Sequence, residues 1–420
     1  MFHALYATPD GLLYDHPDLA AAGRAGRRIV PLKAADLIPL PEGASLVLVP
    51  AGTPVGYRRG REAAFPGRDG QPALAVAACL PQGFTRTHLP AYRRESPGCL
   101  PVLGYTAVAW HDGRVYAAAV PTDDPERWSP KNYNTAALSG LVGKRLAATP
   151  GSAVLGGLAK CALEYRCFTA QNIFYRRWEG GLPTTPACNA RCLGCLSKQE
   201  AGGPPAPQNR ITSSPLLDDL VSLGTEHLAQ APDAIVSFGQ GCEGEPLLSA
   251  PLVAEAIRRM RRRTTRGTIN LNSNAGATAA LSAVLEAGLD SLRVSLASAT
   301  PGVYAVYHRP SFSLADVKNS IKLAVRSGVY TSLNLLVFPG FTDCPGEIAS
   351  LLDLIRETGL HMVQLRNLNI DPATMAPLLP REPPVGIATL VGELRKITGL
   401  AVGNFSRNRG STGPGLPARD

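Results

Sequence analysis

The sequence has no apolar run of the about 20 residues that a membrane-spanning helix needs. Its first residues, Met1 to Tyr6, lack the basic stretch and apolar stretch of an export signal. Lysine is scarce as well, since it supplies only 8 of the 42 basic residues. These absences exclude an integral membrane protein, and we expect a cytoplasmic one.

The length of 420 residues predicts two or three domains, or one barrel with an added domain. The net charge of +9 suggests a polyanionic partner, but the densest basic run, between Arg258 and Arg266, spreads around a predicted helix. That run also lacks the interleaved aromatic residues on which bases stack. We therefore expect a solvated helix end there and no nucleic-acid partner.

The first 150 residues consist of short extended segments separated by turn signals. The clearest is Asp112-Gly113 between two apolar runs, which predicts a β-hairpin. Residues 1–150 are therefore predicted to form a β-rich or α+β domain of unknown role. A helical connector is predicted over 151–180, where apolar residues recur at spacings of three and four from Ser152 to Tyr175.

Residues 181–405 alternate between strand-like and helix-like segments, which predicts parallel βαβ units. With a first strand at Leu182–Thr185, six strands are predicted, enough for a partial (β/α)6 TIM-type barrel; a doubly wound open sheet gives the same pattern. The other predicted strands are Ala234–Phe238, Thr268–Leu271, Ser291–Leu296, Thr331–Phe338 and His361–Leu365. Residues 406–420 are rich in Gly, Pro, Ser and Arg and are predicted to be a disordered tail.

Three of the nine cysteines, Cys188, Cys192 and Cys195, are spaced C-x3-C-x2-C. Three thiolates on one tight loop suit three irons of a cubane cluster, and the fourth iron then stays open to a substrate or cofactor. A structural zinc site is the weaker alternative, because zinc knuckles come in pairs and the sequence has no second one.

This cysteine motif resembles that of the radical S-adenosylmethionine (radical SAM) superfamily, and the resemblance covers about residues 180–405. It implies a [4Fe–4S] cluster on the three cysteines, with SAM chelating the open iron. It also implies reductive cleavage of SAM to methionine and a 5′-deoxyadenosyl radical, which abstracts hydrogen from a substrate.

Further residues fit the same resemblance. Gly244-Glu245-Pro246 looks like the element after the second strand that holds the SAM amino group, with Glu243 in place of a glycine. Asn272 ends the third predicted strand, where a ribose or substrate contact and a simple turn-forming role are both open. Ser295 and Asn334, on the fourth and fifth predicted strands, are expected SAM contacts.

Other residues remain open. Gly194 stands where the family often has an aromatic residue near the adenine, so adenine packing by this position is not expected. Arg366 is either a carboxylate clamp for SAM or part of an internal ion pair. Six cysteines remain for an auxiliary cluster, but their spacings show no compact ligand pattern, so Cys161 and Cys167 are expected to be buried thiols. Cys242, in the glycine-rich loop, is either a thiyl-radical or methyl-carrier cysteine or, as we expect, a small residue that fills the loop. His308 is expected to be structural.

The sequence thus predicts a radical SAM enzyme that modifies a peptide, a protein or a small molecule. The alternative is a non-catalytic Fe–S or zinc protein that uses the barrel as a scaffold. An electron donor such as ferredoxin or flavodoxin and an anaerobic or microaerobic cytoplasm are implied by the resemblance.

Overall fold

A computed structural model describes residues 1–68, 70–94 and 98–408. Its first part is built from antiparallel strands, and its second part alternates parallel strands with helices. No helix in the described ranges is long and apolar enough to cross a membrane. The predicted mixed α/β class with a β-rich N-terminal region is confirmed.

The N-terminal region contains seventeen described strands. They are β1 (His3–Ala7), β2 (Leu13–Ala20), β3 (Ala22–Ala25), β4 (Arg28–Pro31), β5 (Ile38–Pro39), β6 (Ser45–Leu48), β7 (Gly52–Arg58), β8 (Arg61–Ala64), β9 (Gly67–Arg68), β10 (Gln71–Pro72), β11 (Leu74–Cys79), β12 (Phe84–Arg86), β13 (Leu89–Pro90), β14 (Tyr92–Arg94), β15 (Tyr105–His111), β16 (Arg114–Ala117) and β17 (Ala119–Pro121).

Most of these strands form one ten-stranded sheet in the order β14-β7-β2-β1-β11-β15-β16-β5, with β6 on β11 and β8 on β7. The predicted hairpin is present, since β15 and β16 pair antiparallel. Its turn residues Asp112 and Gly113 have φ values of 46° and 75°. Such positive φ values let a two-residue turn match the twist of the strands, and Gly adopts them without strain.

Three helices follow, α1 (Leu138–Ala148), α2 (Ala153–Leu163) and α3 (Phe168–Tyr175). The helical segment therefore starts before the predicted connector 151–180, and the predicted continuous helix is interrupted. Arg166 has a left-handed φ of 52°, which ends one helix and redirects the chain into the next.

The second region carries strands β18 (Glu179–Gly181), β19 (Ile235–Phe238), β20 (Thr268–Ser273), β21 (Ser291–Leu296), β22 (Tyr330–Val337), β23 (Met362–Asn367) and β24 (Ala401–Gly403). Its helices are α4 (Leu217–Gln230), α5 (Ala250–Arg263), α6 (Thr278–Glu286), α7 (Pro301–His308), α8 (Leu314–Arg326), α9 (Pro345–Thr358), α10 (Pro372–Met375) and α11 (Ile387–Arg395). Four 3-10 segments complete the described elements, Ala34–Asp36, Pro130–Asn132, Pro246–Ser249 and Ala376–Leu378.

All seven strands of the second region are parallel and stand in chain order, β18-β19-β20-β21-β22-β23-β24. An order without reversal is not the doubly wound arrangement, and it is compatible with a partial barrel. Two details of the prediction were wrong. The first strand is Glu179–Gly181 rather than Leu182–Thr185, and Ala401–Gly403 adds a seventh strand.

The two faces of this parallel sheet differ in chemistry. Ile269, Leu292 and Leu333 belong to the main apolar core, which the surrounding helices complete. Residues of the opposite parity form what we call the polar face, and those used below are Glu179, Ser237, Asn270, Asn272, Ser291, Arg293, Ser295, Ser332, Asn334, Gln364 and Arg366.

The N-terminal region is docked at the carboxyl ends of β22 and β23. Arg86 is 1% exposed, and its guanidinium donates to the carbonyls of Val337 (3.3 Å) and Leu368 (2.7 Å) as well as to that of Tyr105 (3.1 Å). Burial lowers the pKa of Arg86 to about 9. This cation therefore fastens the two regions together through backbone carbonyls.

Most of the predicted disordered tail, 409–420, lies outside the described residues. Of its described part, 406–408, Ser406 donates to the Glu179 carboxylate at 2.6 Å. The chain therefore returns to its first parallel strand at this point.

Candidate active site

The cysteine loop follows β18 and is held in place by the loop after β19. Glu243 is 4% exposed and accepts hydrogen bonds from the amides of Thr184 (2.6 Å), Gly239 (2.6 Å) and Gln240 (2.9 Å). It also accepts from the Thr184 hydroxyl at 2.7 Å. The carboxylate that replaces a family glycine therefore joins the two loops.

Gly244 brings the same two loops into backbone contact. Its amide donates to the carbonyl of Thr185 at 2.7 Å, and the next amide, of Glu245, donates to that of Ala187 at 2.7 Å. A Cβ at position 244 would lie 1.8 Å from the Ala187 oxygen, so only glycine fits there. The backbone at Cys188 is thereby set directly beside Glu245.

Glu245 is itself 3% exposed and already has partners. It accepts from the Ser273 hydroxyl (2.6 Å) and from the amides of Asn274 (2.8 Å) and Leu247 (3.1 Å). Burial raises the pKa of this carboxyl to about 7. The residue expected to meet an ammonium group thus connects the ends of β19 and β20, next to the cysteine loop.

A further bond ties the cysteine loop to the third strand of the parallel sheet. The Asn274 side-chain amide donates to the Asn189 side chain at 2.6 Å, and its oxygen accepts from the Gly276 amide at 3.0 Å. Asn274 therefore anchors the cysteine loop to the turn after β20.

The three thiols lie close enough to influence one another. Burial raises the pKa of Cys188, with further contributions from Glu245 and Cys195. Burial raises the pKa of Cys192 to about 12, and Cys188 and Cys195 add to the effect. A neutral thiol is the stable form without a metal, so cluster binding would release protons.

The groups that surround Gly194 explain why this chain lacks the aromatic residue of the family pattern. A Cβ at this position would lie 2.7 Å from the Tyr307 hydroxyl oxygen and 2.8 Å from the Asn369 carbonyl oxygen. No aromatic side chain fits between these groups. The expectation that position 194 does not stack on adenine stands, and the neighbouring side chains fill the space.

Two expected SAM contacts, Ser295 and Asn334, stand opposite each other in the β21–β22 register. Asn334 is in turn opposite Gln364 on β23. The Oδ1 atom of Asn334 and the Oε1 atom of Gln364 are buried and have no hydrogen-bond partner among residues 1–68, 70–94 and 98–408. Two unpaired acceptors side by side are costly unless a ligand donates to them.

Asn272 and Arg366 occupy other positions on the polar face. The Asn272 amide donates to the Phe238 carbonyl at 2.9 Å, so it braces β19 against β20. Arg366 donates to the side chains of Gln82 (2.7 Å) and Asn404 (3.3 Å), and burial lowers its pKa to about 10. Its direct partners are therefore neutral.

Sequence reasoning missed two side chains that contact the thiols. His308 Nδ1 lies 3.2 Å from the Cys192 sulfur, and Arg210 Nη2 lies 3.3 Å from the Cys195 sulfur. No signal near the cysteines announces His308, which is 116 residues away from its partner. Ser298, which follows β21, donates its hydroxyl hydrogen to the Glu347 carboxylate at 2.7 Å.

Two further predictions concern the cysteines outside the motif and the arginine-rich run. Cys161 and Cys242 are buried, whereas Cys167, which was also expected to be buried, is only half-buried. The arginine-rich run lies on α5, where Glu255 pairs with Arg258, Arg259 and Arg262, while Arg261 pairs with Asp290. Much of this positive charge is thus compensated within the fold.

The residues present fit a cubane cluster. The Tyr304 hydroxyl is buried and has no hydrogen-bond partner among the described residues; burial raises its pKa, and Cys192 and Glu245 add to the effect. Within the described ranges, no three His, Cys, Asp or Glu side chains converge as ligands of a single metal ion. A cubane needs no such convergence, because each thiolate binds a different iron.

Comparison with known proteins identifies the domain. The model of the radical SAM superfamily matches residues 182–352. A search of the curated proteins found no significant match.

Similar solved structures include Streptococcus suis SuiB bound to the precursor peptide SuiA, with 11% identity, a TM-score of 0.38, and coverage of 59% of this chain and 52% of SuiB. The methyltransferase TsrM from Kitasatospora setae, solved with cobalamin and a [4Fe–4S] cluster, has 17% identity and a TM-score of 0.34, and the match covers 46% of this chain and 37% of TsrM. Methylornithine synthase has 13% identity and a TM-score of 0.35, and the match covers 62% of this chain and 85% of the synthase.

The chain thus spans about half of SuiB and less of TsrM. These distant similarities add no argument beyond the family match. The match therefore assigns residues 182–352, which are less than half of the chain, to the radical SAM superfamily.

Proposed function

We propose that this enzyme reductively cleaves SAM at a cluster held by Cys188, Cys192 and Cys195 and removes hydrogen from a peptide, protein or small-molecule substrate. The observation that carries the proposal is the placement of three thiols on one loop beside the buried Glu245. When bound, the cluster and SAM supply one-electron chemistry and a 5′-deoxyadenosyl radical.

The parallel sheet is proposed to curve into the partial (β/α) barrel of this superfamily. Glu179 on β18 lies 3.2 Å from Arg293 on β21, three strands away. Neighbouring strands are about 4.8 Å apart, so a flat sheet separates these strands by about 14 Å. Their side-chain contact supports a curved sheet with the polar face inside.

The SAM contacts are proposed at both sides of this interior. Gly244 and Glu245 orient the amino group near the cysteine loop. Ser295 and Asn334 contact SAM from β21 and β22, and the unpaired Asn334 oxygen is suited to a donor of the ligand. Asn272 acts at the edge of this site, where its amide already bonds to Phe238.

Partners follow from the chemistry. Radical SAM enzymes need a reductant, and a ferredoxin or flavodoxin is proposed as the electron donor. An anaerobic or microaerobic cytoplasm suits such a cluster. Nucleic acid is not proposed as a substrate, because internal partners compensate much of the densest basic run.

Anaerobic reconstitution of the full chain tests the proposal. We expect about four irons per chain, and 5′-deoxyadenosine on addition of dithionite and SAM. Replacing Cys188, Cys192 and Cys195 together by Ala should abolish both, whereas Cys79→Ala, in β11 of the N-terminal region, should change neither. Unchanged iron content in the triple variant would refute the cluster assignment. A four-iron cluster that produces no 5′-deoxyadenosine would refute the reaction.

A further inference from the structure

His308 ends helix α7 and points its ring at the cluster loop. The ring is 2% exposed and packs against Tyr304 and Tyr307, at centroid distances of 4.5 and 4.8 Å. Its Nδ1 lies 3.2 Å from the Cys192 sulfur, and its Nε2 lies 3.2 Å from the amide nitrogen of Ala297.

These two contacts define the tautomer. The Ala297 amide can only donate, so Nε2 accepts and carries no hydrogen. The ring hydrogen is then on Nδ1, where it points at the sulfur of Cys192.

Backbone hydrogen bonds also join the cysteine loop to the end of α7. The amides of Arg191 and Leu193, on either side of Cys192, donate to the carbonyls of His308 and Tyr307, each at 3.0 Å. The imidazole therefore has a fixed position relative to this sulfur.

Arg210 makes the corresponding contact with a second sulfur. Its Nη2 donates to Cys195 at 3.3 Å, while its Nε donates to the Ser197 hydroxyl (3.1 Å) and its Nη1 to the Pro186 carbonyl (3.3 Å). No carboxylate forms an ion pair with Arg210 within the part of the chain that the structure describes. Its positive charge thus faces the thiol loop.

We propose that His308 and Arg210 are positioning residues that tune the cluster, by donating hydrogen bonds to the Cys192 and Cys195 thiolates. This inference rests on the proposed function. A cluster gains negative charge when it accepts one electron from the external reductant. Donors to its sulfurs stabilise that added charge, so they raise the reduction potential and ease the first step of the reaction.

The experiment is a redox titration of the reconstituted full chain, followed by the electron paramagnetic resonance signal of the reduced cluster. His308→Phe should lower the ratio of reduced to oxidised cluster about tenfold at a fixed potential, which is a shift of about 59 mV for one electron. His308→Asn, which keeps an N–H near the sulfur, should restore most of the ratio. Val306→Ala, at an exposed position of the same helix α7, leaves the imidazole donor in place and should not shift the potential.

Arg210 is tested in the same way. Arg210→Met should lower the potential, and Arg210→Lys, which keeps the charge, should lower it less. Arg191→Met is the matched control, because Arg191 precedes Cys192 but is exposed and makes no side-chain contact with a thiol among the described residues.

The outcomes separate the two proposals. Wild-type potentials in iron-loaded His308→Phe and Arg210→Met chains would overturn the tuning role and leave the cluster assignment intact. A wild-type chain without a four-iron cluster would overturn both. If His308→Phe does not bind iron, the potential of Arg210→Met decides, and an unchanged value overturns the inference.

Discussion

The parallel sheet and the N-terminal antiparallel sheet bury polar groups for different purposes. On the polar face, Glu179, Ser237 and Asn270 bond to one another, whereas Asn334 and Gln364 keep unpaired oxygens. In the N-terminal region, the buried guanidinium of Arg86 reaches out of its own sheet to the carbonyls of the other. The parallel sheet thus retains polar atoms that are proposed to bind a ligand, whereas Arg86 attaches the N-terminal region to that sheet.

Removing the attachment should have the largest effect on stability. Arg86→Met leaves the carbonyls of Tyr105, Val337 and Leu368 without their donor, which should lower the free energy of unfolding by about 3 kcal/mol. Urea denaturation measures this change. Arg93→Met, at an exposed pair with Glu62, should cost less than about 1 kcal/mol. Equal losses in the two variants would contradict a docking role for Arg86.

A pH-dependent effect of similar size is expected where α9 begins. Burial raises the pKa of Asp343 to about 6, from an ordinary value of 3.8. Between these values the folded chain holds a proton that the unfolded chain has lost. The contribution is therefore fully present below pH 3.8 and is lost as the pH rises to about 6, by about 3 kcal/mol.

Asp343→Asn should remove that part of the pH dependence, while Asp353→Asn, on an exposed part of α9, should retain it. Denaturation at pH 4, 5, 6 and 7 checks both. An unaltered slope in Asp343→Asn would show that another group causes it.

The smallest predicted effect concerns SAM affinity. Asn334→Ala and Ser295→Ala should each weaken SAM binding about tenfold, or about 1.4 kcal/mol. The stability of the chain without SAM should hardly change for Asn334→Ala, because the deleted oxygen has no partner. Ser298→Ala, whose hydroxyl bonds to Glu347, is the control. Equilibrium dialysis with reconstituted protein measures the affinities, and equal losses in all three variants would refute the assignment.

The sequence predicted what is encoded locally. The cysteine spacing and the hairpin turn at Asp112 lie within a few residues and could be interpreted directly. Strand β18, with the sequence Glu-Gly-Gly, has no strand propensity of its own and exists because it pairs with β19. The short β24 likewise depends on its pairing with β23.

The side-chain contacts of the candidate site could not be predicted from local sequence patterns, because they join residues that are far apart in the chain. His308 reaches Cys192 across 116 residues, and Arg210 reaches Cys195 across 15 residues of irregular chain. Glu243 was interpreted as a substitution for glycine, yet it accepts several hydrogen bonds because the two loops converge on it. Such convergence is a property of the folded sheet and not of any one segment.

The Glu243 carboxylate also sets an order of assembly. Its partners Thr184 and Gly239 are separated by 55 positions, and Thr184 lies 59 residues before Glu243 itself. The entrance to the cysteine loop cannot take its final path until β19 has paired with β18. A nascent chain that ends before residue 243 therefore presents the three thiols without the carboxylate that holds their loop.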